Sequence, residues 1–379
     1  MTHDIGIVAG EASGDLLGSQ LIQALRGDHS GLRFHGIAGP KMQAQGAISG
    51  YPMETLSVRG YVEALSNLPQ ILGIRRRLTR DYLDHPPHLF IGIDAPDFNL
   101  SLEARLKHAG IPTVHFISPS IWAWRRERIH KIRAAVSHML LIFPFEEALY
   151  REAGIPATYV GHPLAYSLSP WPDRAQARAR LGVAPTGRYL ALLPGSRQGE
   201  LRQLAAVFVD TAKRLHQARP DLQFLVPLAT PETRRRFEAA LTEHQGAELP
   251  LRILFGQAHD VLQAADAAIV ASGTATLEAA LLGCPHLIAY RVPWLTAQIM
   301  KRQAYLPWVG LPNILANRLV VPELLQAQCQ PALLAETALR LLDDVAQREA
   351  MLEAFEAIRD SLRRDTPRLI ESALAPFLT

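Results

Sequence analysis

The stretch that most constrains the fold runs from Ala267 to Pro285 and reads AAIVASGTATLEAALLGCP. It opens with a short apolar run without polar alternation, which is typical of a buried parallel strand. The chain then turns at Ser272–Thr274, and Ala275–Leu282 has the composition of a helix. The first turn of such a helix presents free N–H groups and the positive end of the helix dipole. We therefore predict that this turn binds a phosphate group.

Glu278 lies about one helical turn after Thr274, so its carboxylate can face the same crevice. Acidic residues in dinucleotide-binding folds accept hydrogen bonds from a ribose diol, and Glu278 is predicted to do the same. The alternative is an ordinary strand–turn–helix unit with Glu278 in solvent, because short glycine motifs also occur by chance.

Length and composition narrow the class of protein. A chain of 379 residues is long enough for two domains of ordinary size. Its 39 basic and 36 acidic residues leave a net charge of +3, which is too small to predict nucleic acid as the main partner. Cys284 and Cys329 form no CxxC pair, so neither a disulfide framework nor a thiolate zinc site is expected. The absence of a signal peptide pattern and of a run of ~20 apolar residues favours a cytoplasmic protein.

A second strand–turn–helix pattern opens the chain. The apolar strand Ile5–Ala9 is followed by the glycine-rich turn Gly10–Asp15. Dinucleotide sites use G-x-G-x-x-G, whereas this turn has the spacing G-x-x-x-G, so a dinucleotide site is not predicted. The turn is better suited to a hydroxyl-rich or anionic ligand, with Glu11 and Ser13 as the hydrogen-bonding groups.

Two carboxylates follow a later apolar strand of this half, Leu89–Ile93. In a parallel sheet, ligands bind at the carboxyl ends of the strands. We predict that Asp94 points into the resulting crevice and that Asp97 caps the helix that begins near Phe98.

The second half repeats the alternation of strands and helices that is typical of a doubly wound parallel sheet. Its first strand, Tyr189–Leu193, leads into the turn Pro194–Glu200. Within this turn, Ser196 and Arg197 are suited to a diphosphate, because arginine offers a fixed fork of donors to phosphate oxygens. Each half is therefore predicted to form a Rossmann-like domain, and the chain from Pro331 onward is predicted to be helical.

One segment of the first half, Tyr61–Arg80, has two interpretations. It has the periodicity of a helix that Pro69 is expected to break or kink. Its apolar face and basic end are formed by Leu65, Leu68, Leu72, Arg75, Arg76, Arg77 and Arg80. The leucines either pack into the core or lie on a membrane, where the arginines would meet anionic headgroups.

Eight short motifs are arranged along nearly the whole chain. They are VAGEASGDLLG (Val8–Gly18), GIAGPKM (Gly36–Met42), IGIDAPDFNL (Ile91–Leu100), ISPSIWAWR (Ile117–Arg125), LLPGSRQGE (Leu192–Glu200), ASGTATLEAAL (Ala271–Leu281), LPNILA (Leu311–Ala316) and PELLQ (Pro322–Gln326). In this order they resemble the lipid A disaccharide synthase family of GT-B glycosyltransferases. Each motif alone is short, but the ordered set is highly specific.

The resemblance implies an α/β protein of GT-B architecture, with two Rossmann-like domains facing each other across a cleft and a helical C-terminus. The first domain would comprise residues 1–164, completed by the helices of residues 345–379, and would lie on the membrane side with the acceptor. The second domain, residues 165–344, would bind the UDP-sugar.

The resemblance further implies an inverting glycosyltransferase that joins UDP-2,3-diacylglucosamine to 2,3-diacylglucosamine 1-phosphate. The products would be UDP and the β(1→6) disaccharide 1-phosphate of lipid A biosynthesis. No cofactor or metal is expected, because Arg197 and a helix N-terminus can stabilise the leaving diphosphate in place of a cation.

These implications assign roles to individual residues. Inversion in a single displacement needs one carboxylate to take the proton of the acceptor 6-hydroxyl. Asp94 is predicted to be this base, with Glu11 as the alternative, and Arg197 is expected to act on the leaving group. The residues expected to hold UDP are Ser196, Arg197, Ser272, Gly273, Thr274, Ala275, Glu278, Asn313 and Gln326.

The resemblance also implies a peripheral enzyme on the cytoplasmic face of the inner membrane, in contact with anionic lipids, and it is compatible with a homodimer. The sequence departs from the family pattern at Tyr61–Glu63, which follows Arg59 and Gly60, and at Leu306–Val309. These segments are expected to contact acyl chains and to set the preference for their length.

Two rival functions stay open. The first is another UDP-sugar enzyme of the same fold, such as an epimerase or a UDP-N-acetylglucosamine transferase to a different lipid. The second is a sugar-binding protein without catalysis, whose paired lobes also alternate strand and helix. Proteins of that class are usually exported, whereas this sequence shows no signal peptide pattern.

Overall fold

The computed structural model describes residues 3–28, 31–56, 61–168, 173–303 and 305–378. They form two compact units, each built around one parallel sheet. The first unit comprises Met1–Tyr166 together with Ser361–Thr379, and the second unit comprises Ser167–Asp360.

The first unit contains seven parallel strands. They are β1 (His3–Ala9), β2 (Leu32–Ile37), β3 (Ile48–Ser49), β4 (Leu89–Ile93), β5 (Thr113–Phe116), β6 (His138–Leu141) and β7 (Ala157–Tyr159). Across the sheet they lie in the order β3-β2-β1-β4-β5-β6-β7. Its helices are α1 (Ala12–Asp28), α2 (Pro40–Ala44), α3 (Tyr61–Asp84), α4 (Pro96–His108), α5 (Ile129–Ala135), α6 (Glu146–Glu152), α7 (Pro163–Ser167) and, near the C-terminus, α17 (Thr366–Leu374). Short 3-10 helices lie at Met53–Thr55, Arg126–Arg128 and Ala375–Phe377.

The second unit contains six parallel strands. They are β8 (Arg188–Leu193), β9 (Leu222–Leu228), β10 (Leu251–Phe255), β11 (Ala267–Ala271), β12 (His286–Tyr290) and β13 (Glu323–Leu325). Their order is β10-β9-β8-β11-β12-β13. The helices are α8 (Arg174–Leu181), α9 (Gln198–Ala218), α10 (Pro231–Glu243), α11 (Ala258–Ala264), α12 (Thr274–Leu281), α13 (Trp294–Gln303), α14 (Leu311–Ala316), α15 (Pro331–Asp343) and α16 (Val345–Leu362), with a 3-10 turn at Gln326–Gln328.

The central strands supply the cores of both sheets. Strands β4, β5 and β11 are buried along their whole length, because helices cover both faces of a parallel sheet. The continuous apolar runs of β4 and β11 are the pattern from which these strands were predictable, whereas β5 also buries the polar residues Thr113 and His115.

Each sheet reverses its winding at one point. From β1 the chain adds β2 and β3 on one side and then returns to add β4 on the other side. In the second unit, β9 and β10 lie on one side of β8, and β11 lies on the other. The turns after β1 and β4, and those after β8 and β11, therefore diverge from adjacent strand ends. In open α/β sheets this is where ligands bind.

The strands predicted at Ile5–Ala9, Leu89–Ile93 and Tyr189–Leu193 are confirmed, and the chain from Pro331 onward is helical as predicted. The short strands β3 and β13 are missed by the sequence pattern, because two or three residues carry too little periodicity.

The helix α3 runs unbroken from Tyr61 to Asp84 with Pro69 inside it. Of the two effects predicted for Pro69, the break is therefore wrong, and the kink stays a prediction. Pro69 is exposed, and water can satisfy the carbonyl group that loses its helical partner there. Arg59 and Gly60 lie outside the described residues, as do the side chains of residues 61–67, which include Leu65. Within the described ranges, every helix is too short or too polar to cross a bilayer.

The two units divide the chain at positions that differ from the division expected from the sequence. The chain leaves the first unit after Tyr166 and returns to it at Ser361, within α16. The earlier part of α16 belongs to the second unit, where Phe355 stacks on His286 of β12 with ring centroids 5.3 Å apart. An unbroken helix gives no sequence signal of such a division.

Candidate functional site

The second unit gathers predicted nucleotide-binding residues at one edge of its sheet. The adjacent strands β8 and β11 are followed by the turns that carry Arg197 and Ser272. Strands β12 and β13 continue the sheet and end at or next to Tyr290 and Gln326. Because the carboxyl ends of parallel strands share an edge, the topology brings these turns together.

The turn after β11 leaves backbone donors open. Gly273 is the N-cap of α12, with φ of 138° and ψ of −162°, and no side chain caps the helix. The helix begins at Thr274, one residue before the predicted start. The Thr276 hydroxyl donates to the Gly273 carbonyl at 2.8 Å, whereas among the described residues nothing accepts a hydrogen bond from the N–H groups of Thr274 and Ala275. Two free donors at the positive end of a helix are what an anion requires.

The turn after β8 is arranged differently. The carboxylate of Glu200 folds back and accepts hydrogen bonds from the N–H groups of Ser196 at 2.9 Å and Arg197 at 3.1 Å. Gly195 permits this approach, because a Cβ atom on it would lie 2.4 Å from Glu200 Oε2. These backbone donors are occupied, so a diphosphate contact at this turn depends on the exposed side chains of Ser196 and Arg197.

Tyr290, at the end of β12, is close to this turn and is missed by the sequence analysis. Burial raises the pKa of its phenol, the negative charge of Glu200 raises it further, and the positive charge of Arg197 opposes both effects. The phenol is therefore neutral and able to donate a hydrogen bond at the edge of the sheet.

Glu278 lies on α12, one turn after Thr274 as predicted. Its side chain is 30% exposed, and Oε2 lies 3.5 Å from Nε2 of His259 on α11. This position is at odds with the alternative in which Glu278 is simply solvated. The carboxylate is half-buried and near a histidine, and its contact with a ribose stays a prediction.

Asn313 is buried and fully hydrogen-bonded within the protein. Its Nδ2 donates to the Val321 carbonyl and to Glu323 Oε1, both at 2.8 Å. Its Oδ1 accepts from the N–H groups of Val320 and Val321, both at 2.8 Å. A side-chain amide has two donors and room for two acceptor bonds, so none is left for UDP. The expected direct contact of Asn313 with the nucleotide does not fit this arrangement, in which Asn313 holds its own loop.

Glu323, which the sequence analysis missed, organises the same loop. Its carboxylate accepts hydrogen bonds from the N–H groups of Val309 at 3.0 Å and Gly310 at 2.9 Å. Gln326 is also engaged: oriented to satisfy both of its ends, its amide pairs with the backbone of Val292 at 3.1 and 3.3 Å. Glu323 and Gln326 therefore hold neighbouring backbone segments in place at the edge of the sheet. Their hydrogen-bond partners cannot be read from the local sequence.

The first unit brings its two predicted carboxylates to adjacent turns. Glu11 follows β1 and Asp94 follows β4, and these strands are paired neighbours. The turns touch, because a Cβ atom on Gly10 would lie 2.7 Å from the Cβ atom of Ala95. Glu11 and Ser13 are exposed, and Asp94 is half-buried.

The backbone at Asp94 is strained. Asp94 has a φ of 51° and Ala95 a φ of 44°, both in the left-handed region. Such a conformation costs roughly 1–2 kcal/mol for each residue with a Cβ atom, and it occurs disproportionately at functional sites. Asn99, fully buried on α4, supports the turn by donating from Nδ2 to the Asp94 carbonyl at 2.8 Å. In the sequence, the only indication of this role is that Asn99 places a polar amide on the buried face of a helix.

Asp97 does not cap α4, so that prediction is wrong. The helix begins at Pro96, its N-cap is Ala95, and no side chain caps it. The Asp97 carboxylate instead pairs with Arg128. A capping carboxylate must precede the helix, and this helix begins two residues before the predicted start near Phe98.

Asp15 is a further residue that sequence reasoning missed. It is buried, and its two carboxylate oxygens accept hydrogen bonds from the N–H groups of Lys41 and Met42, each at 2.9 Å. The carboxylate therefore satisfies the first turn of α2 and ties it to α1, next to the turn that carries Glu11.

Sequence comparison identifies relatives of the whole chain. A family model described as lipid-A-disaccharide synthetase matches residues 5–376. A lipid-A-disaccharide synthase of Methylobacillus flagellatus is 55% identical over 374 residues, which cover 99% of each chain.

Structural comparison finds the same architecture in more distant proteins. The glycosyltransferase of kitacinnamycin matches with a TM-score of 0.63 at 15% identity, over 100% of both chains. The UDP-GlcNAc 2-epimerase of Neisseria meningitidis, solved with UDP-GlcNAc, also gives 0.63, at 12% identity over 100% of this chain and 98% of that one. At such identities the likeness shows the fold alone, and it does not separate a transferase from an epimerase.

The predicted fold class is confirmed: two parallel-sheet α/β units of the GT-B type with a helical C-terminus. The sequence match decides among the functions that this fold supports, because it extends over nearly the whole chain at high identity. The chain therefore belongs to the lipid-A-disaccharide synthetase family, glycosyltransferases of lipid A biosynthesis.

Proposed function

We propose that this protein joins UDP-2,3-diacylglucosamine to 2,3-diacylglucosamine 1-phosphate. The acceptor 6-oxygen attacks the anomeric carbon of the donor, the bond from that carbon to the diphosphate breaks, and UDP leaves with the electron pair. The acceptor proton passes to a carboxylate, and the anomeric configuration inverts from α to β. The observation that carries the proposal is the family match over residues 5–376.

The UDP end of the reaction is assigned to the second unit. The free N–H groups of Thr274 and Ala275 suit one phosphate, and the Arg197 fork suits the diphosphate as negative charge develops on it. Ser196, Ser272 and Gly273 belong to the same two turns. The residues expected to complete the UDP site are Glu278, through the ribose, with Asn313 and Gln326 acting through the loops they hold.

The base is assigned to Asp94. Its turn lies at the point where the winding of the sheet reverses, its backbone is held in a strained conformation, and the buried Asn99 amide supports it. Such rigid positioning is what a general base requires, because proton transfer depends on hydrogen-bond geometry. Glu11, on the adjacent turn, is the alternative.

The test is a product assay with the purified chain and both diacylglucosamine substrates. We expect UDP and a disaccharide monophosphate in equal amounts, identified by mass spectrometry. A change in the UDP-sugar without acceptor would indicate an epimerase instead. Failure to form any product with a folded protein that still binds UDP-sugar would leave only the binding-protein function.

We further propose that the enzyme acts at the inner membrane surface, with part of α3 against the lipid. On the described part of this helix, Leu68 is 45% exposed, and Arg76, Arg77 and Arg80 are also exposed. Basic residues near an anionic bilayer contribute about 1 kcal/mol each, and salt weakens this attraction.

Flotation with anionic vesicles tests the membrane proposal. Binding should fall as salt rises and should be reduced by replacing Arg76, Arg77 and Arg80 with Gln. The matched control is replacement of three exposed arginines on α10 of the second unit, Arg234, Arg235 and Arg236, by Gln. Equal loss in both variants, or binding that is independent of salt, would contradict a specific role of α3.

A further inference from the structure

Two arginines from different elements converge on the first turn of α4. Arg75 of α3 donates from Nη1 to the Asp97 carbonyl at 3.1 Å. Arg128, the last residue of the 3-10 helix Arg126–Arg128, pairs with the Asp97 carboxylate. The Arg128 side chain is 22% exposed, whereas the Asp97 side chain is 84% exposed. The two guanidinium groups are thus held in place at an accessible surface.

This pair distinguishes Arg75 from the other arginines at the end of α3. Arg76, Arg77 and Arg80 are exposed, whereas Arg75 is half-buried against the start of α4. The sequence presents these arginines as one basic patch. In the structure, Arg75 differs from Arg76, Arg77 and Arg80 because its side chain contacts α4.

The charges around the pair do not balance. Asp97 contributes one negative charge opposite the two guanidinium groups. Burial lowers the pKa of Arg75, and repulsion from Arg105 and Arg76 lowers it further, which indicates uncompensated positive charge nearby. A guanidinium group has five N–H donors, and the contacts found among the described residues use one on Arg75 and one on Arg128. Donors therefore remain for an anion with several oxygens.

The position of the pair suggests which anion it meets. Asp97 lies three residues after Asp94, in the turn and helix start that follow β4. In the proposed reaction, the acceptor presents its 6-hydroxyl to Asp94, and its phosphate is attached to the anomeric carbon of the same sugar. The phosphate must therefore bind about one sugar ring away from the base.

We propose that Arg75 and Arg128 bind the anomeric phosphate of the acceptor. This inference rests on the proposed function. The phosphate takes no part in the bond that forms, so the two arginines contribute mainly to acceptor binding and less to the chemical step. They also favour acceptors that carry the phosphate over those that lack it, because only the phosphate accepts charge-assisted hydrogen bonds from the remaining guanidinium donors.

The test compares acceptors with and without the anomeric phosphate, in neutral detergent micelles that contain no anionic lipid. For Arg75→Gln and Arg128→Gln, we expect KM for the phosphorylated acceptor to rise roughly 10- to 100-fold. For the dephosphorylated acceptor, KM should equal that of the wild type, and KM for the UDP donor should be unchanged for both acceptors. Arg151→Gln, at an exposed position of α6 in the same unit, is the control and should behave as the wild type.

Several outcomes would overturn the inference. One is wild-type activity that does not depend on the phosphate, and another is a preference for the phosphate that persists in both variants. Equal effects of Arg151→Gln and Arg75→Gln would attribute the preference for the phosphate to general positive charge. If a glutamine variant unfolds, Arg75→Lys and Arg128→Lys should keep the fold and lose part of the preference. No disaccharide from either acceptor with the wild type would instead refute the proposed function.

Discussion

Glu146, at the start of α6, makes the stability of the first unit depend on pH in a predictable direction. Its side chain is buried, and Oε2 accepts a hydrogen bond from the Phe143 N–H at 3.1 Å. Burial raises the pKa of this carboxyl to about 8, and hydrogen bonds, foremost that from Phe143, offset only part of the effect. The carboxyl is therefore mostly protonated and neutral in the folded protein at pH 7.

The sign follows from proton binding in the two states. In the unfolded chain, glutamate has a pKa near 4.3. Between that value and about 8, the folded protein binds one proton more than the unfolded chain. The free energy of unfolding then falls as pH rises, by about 1.4 kcal/mol per pH unit. Over the whole window the free energy of unfolding falls by about 5 kcal/mol. The fall is complete above the pKa that Glu146 has in the folded protein, and it has not begun below the pKa that Glu146 has in the unfolded chain.

Glu146→Gln keeps the shape of the side chain and removes its titration. Wild type and variant should be about equally stable near pH 4, and the variant should be several kcal/mol more stable at pH 8. Urea unfolding at a series of pH values, read by hydrogen exchange in peptides that span α6, reports on the first unit separately from the second. Glu147→Gln, at the exposed neighbouring position, is the control and should leave the wild-type pH dependence intact.

Parallel pH profiles for the wild type and Glu146→Gln would refute this reasoning. They would mean that Glu146 titrates at nearly the same pH in the folded and unfolded chains, and that burial does not govern its pKa. Other titrating groups do not affect the comparison, because they contribute equally to both proteins.

Three further predictions concern the proposed site. Asp94→Asn should lower kcat by ~10²- to 10⁴-fold and leave KM for the UDP donor unchanged in steady-state assays; if Glu11→Gln has this effect instead, Glu11 is the base. Arg197→Ala should weaken UDP binding, measured by calorimetry, roughly 10- to 100-fold, because a charge-assisted contact contributes about 1.5–3 kcal/mol, and unchanged affinity would contradict its role. Asn313→Ala should destabilise the second unit in urea unfolding by about 2 kcal/mol or more, because Val320 and Val321 lose their acceptor. Asn313→Asp should be worse, since it places a second carboxylate against Glu323, and a neutral effect of both would mean that water replaces the amide.

Local patterns in the sequence were sufficient for the parallel strands other than the short β3 and β13, and for the turns that follow those strands. The runs at Leu89–Ile93 and Ala267–Ala271 are apolar throughout because both faces of a parallel strand are buried. The first is followed by Asp94 and the second by Ser272 and Gly273, which are residues typical of turns. These features depend on neighbours in the chain and are therefore readable without the fold. The ordered motifs likewise identified the family, which the comparison confirms.

The role of a side chain within a motif depended on partners from elsewhere in the chain. Asn313 and Glu323 belong to different motifs, and only the loop between them brings the amide to the carboxylate at 2.8 Å. Asp97 lies shortly after a strand, where a capping residue is expected. The helix α4 nevertheless begins one residue before Asp97, and the Asp97 carboxylate forms an ion pair with Arg128. Nothing in the local sequence specifies these contacts.

The sequence by itself thus determined which longer segments form strands, where turns follow them and which family the chain belongs to. The tertiary structure decided which polar groups remain available to a ligand. The turns at Ser196 and at Thr274 look alike in the sequence. The Glu200 carboxylate accepts hydrogen bonds from backbone N–H groups of the first turn, whereas the N–H groups of Thr274 and Ala275 in the second turn have no acceptor among the described residues. The physical reason is that each donor or acceptor has a small, fixed number of hydrogen bonds, and folding assigns them to partners distant in sequence.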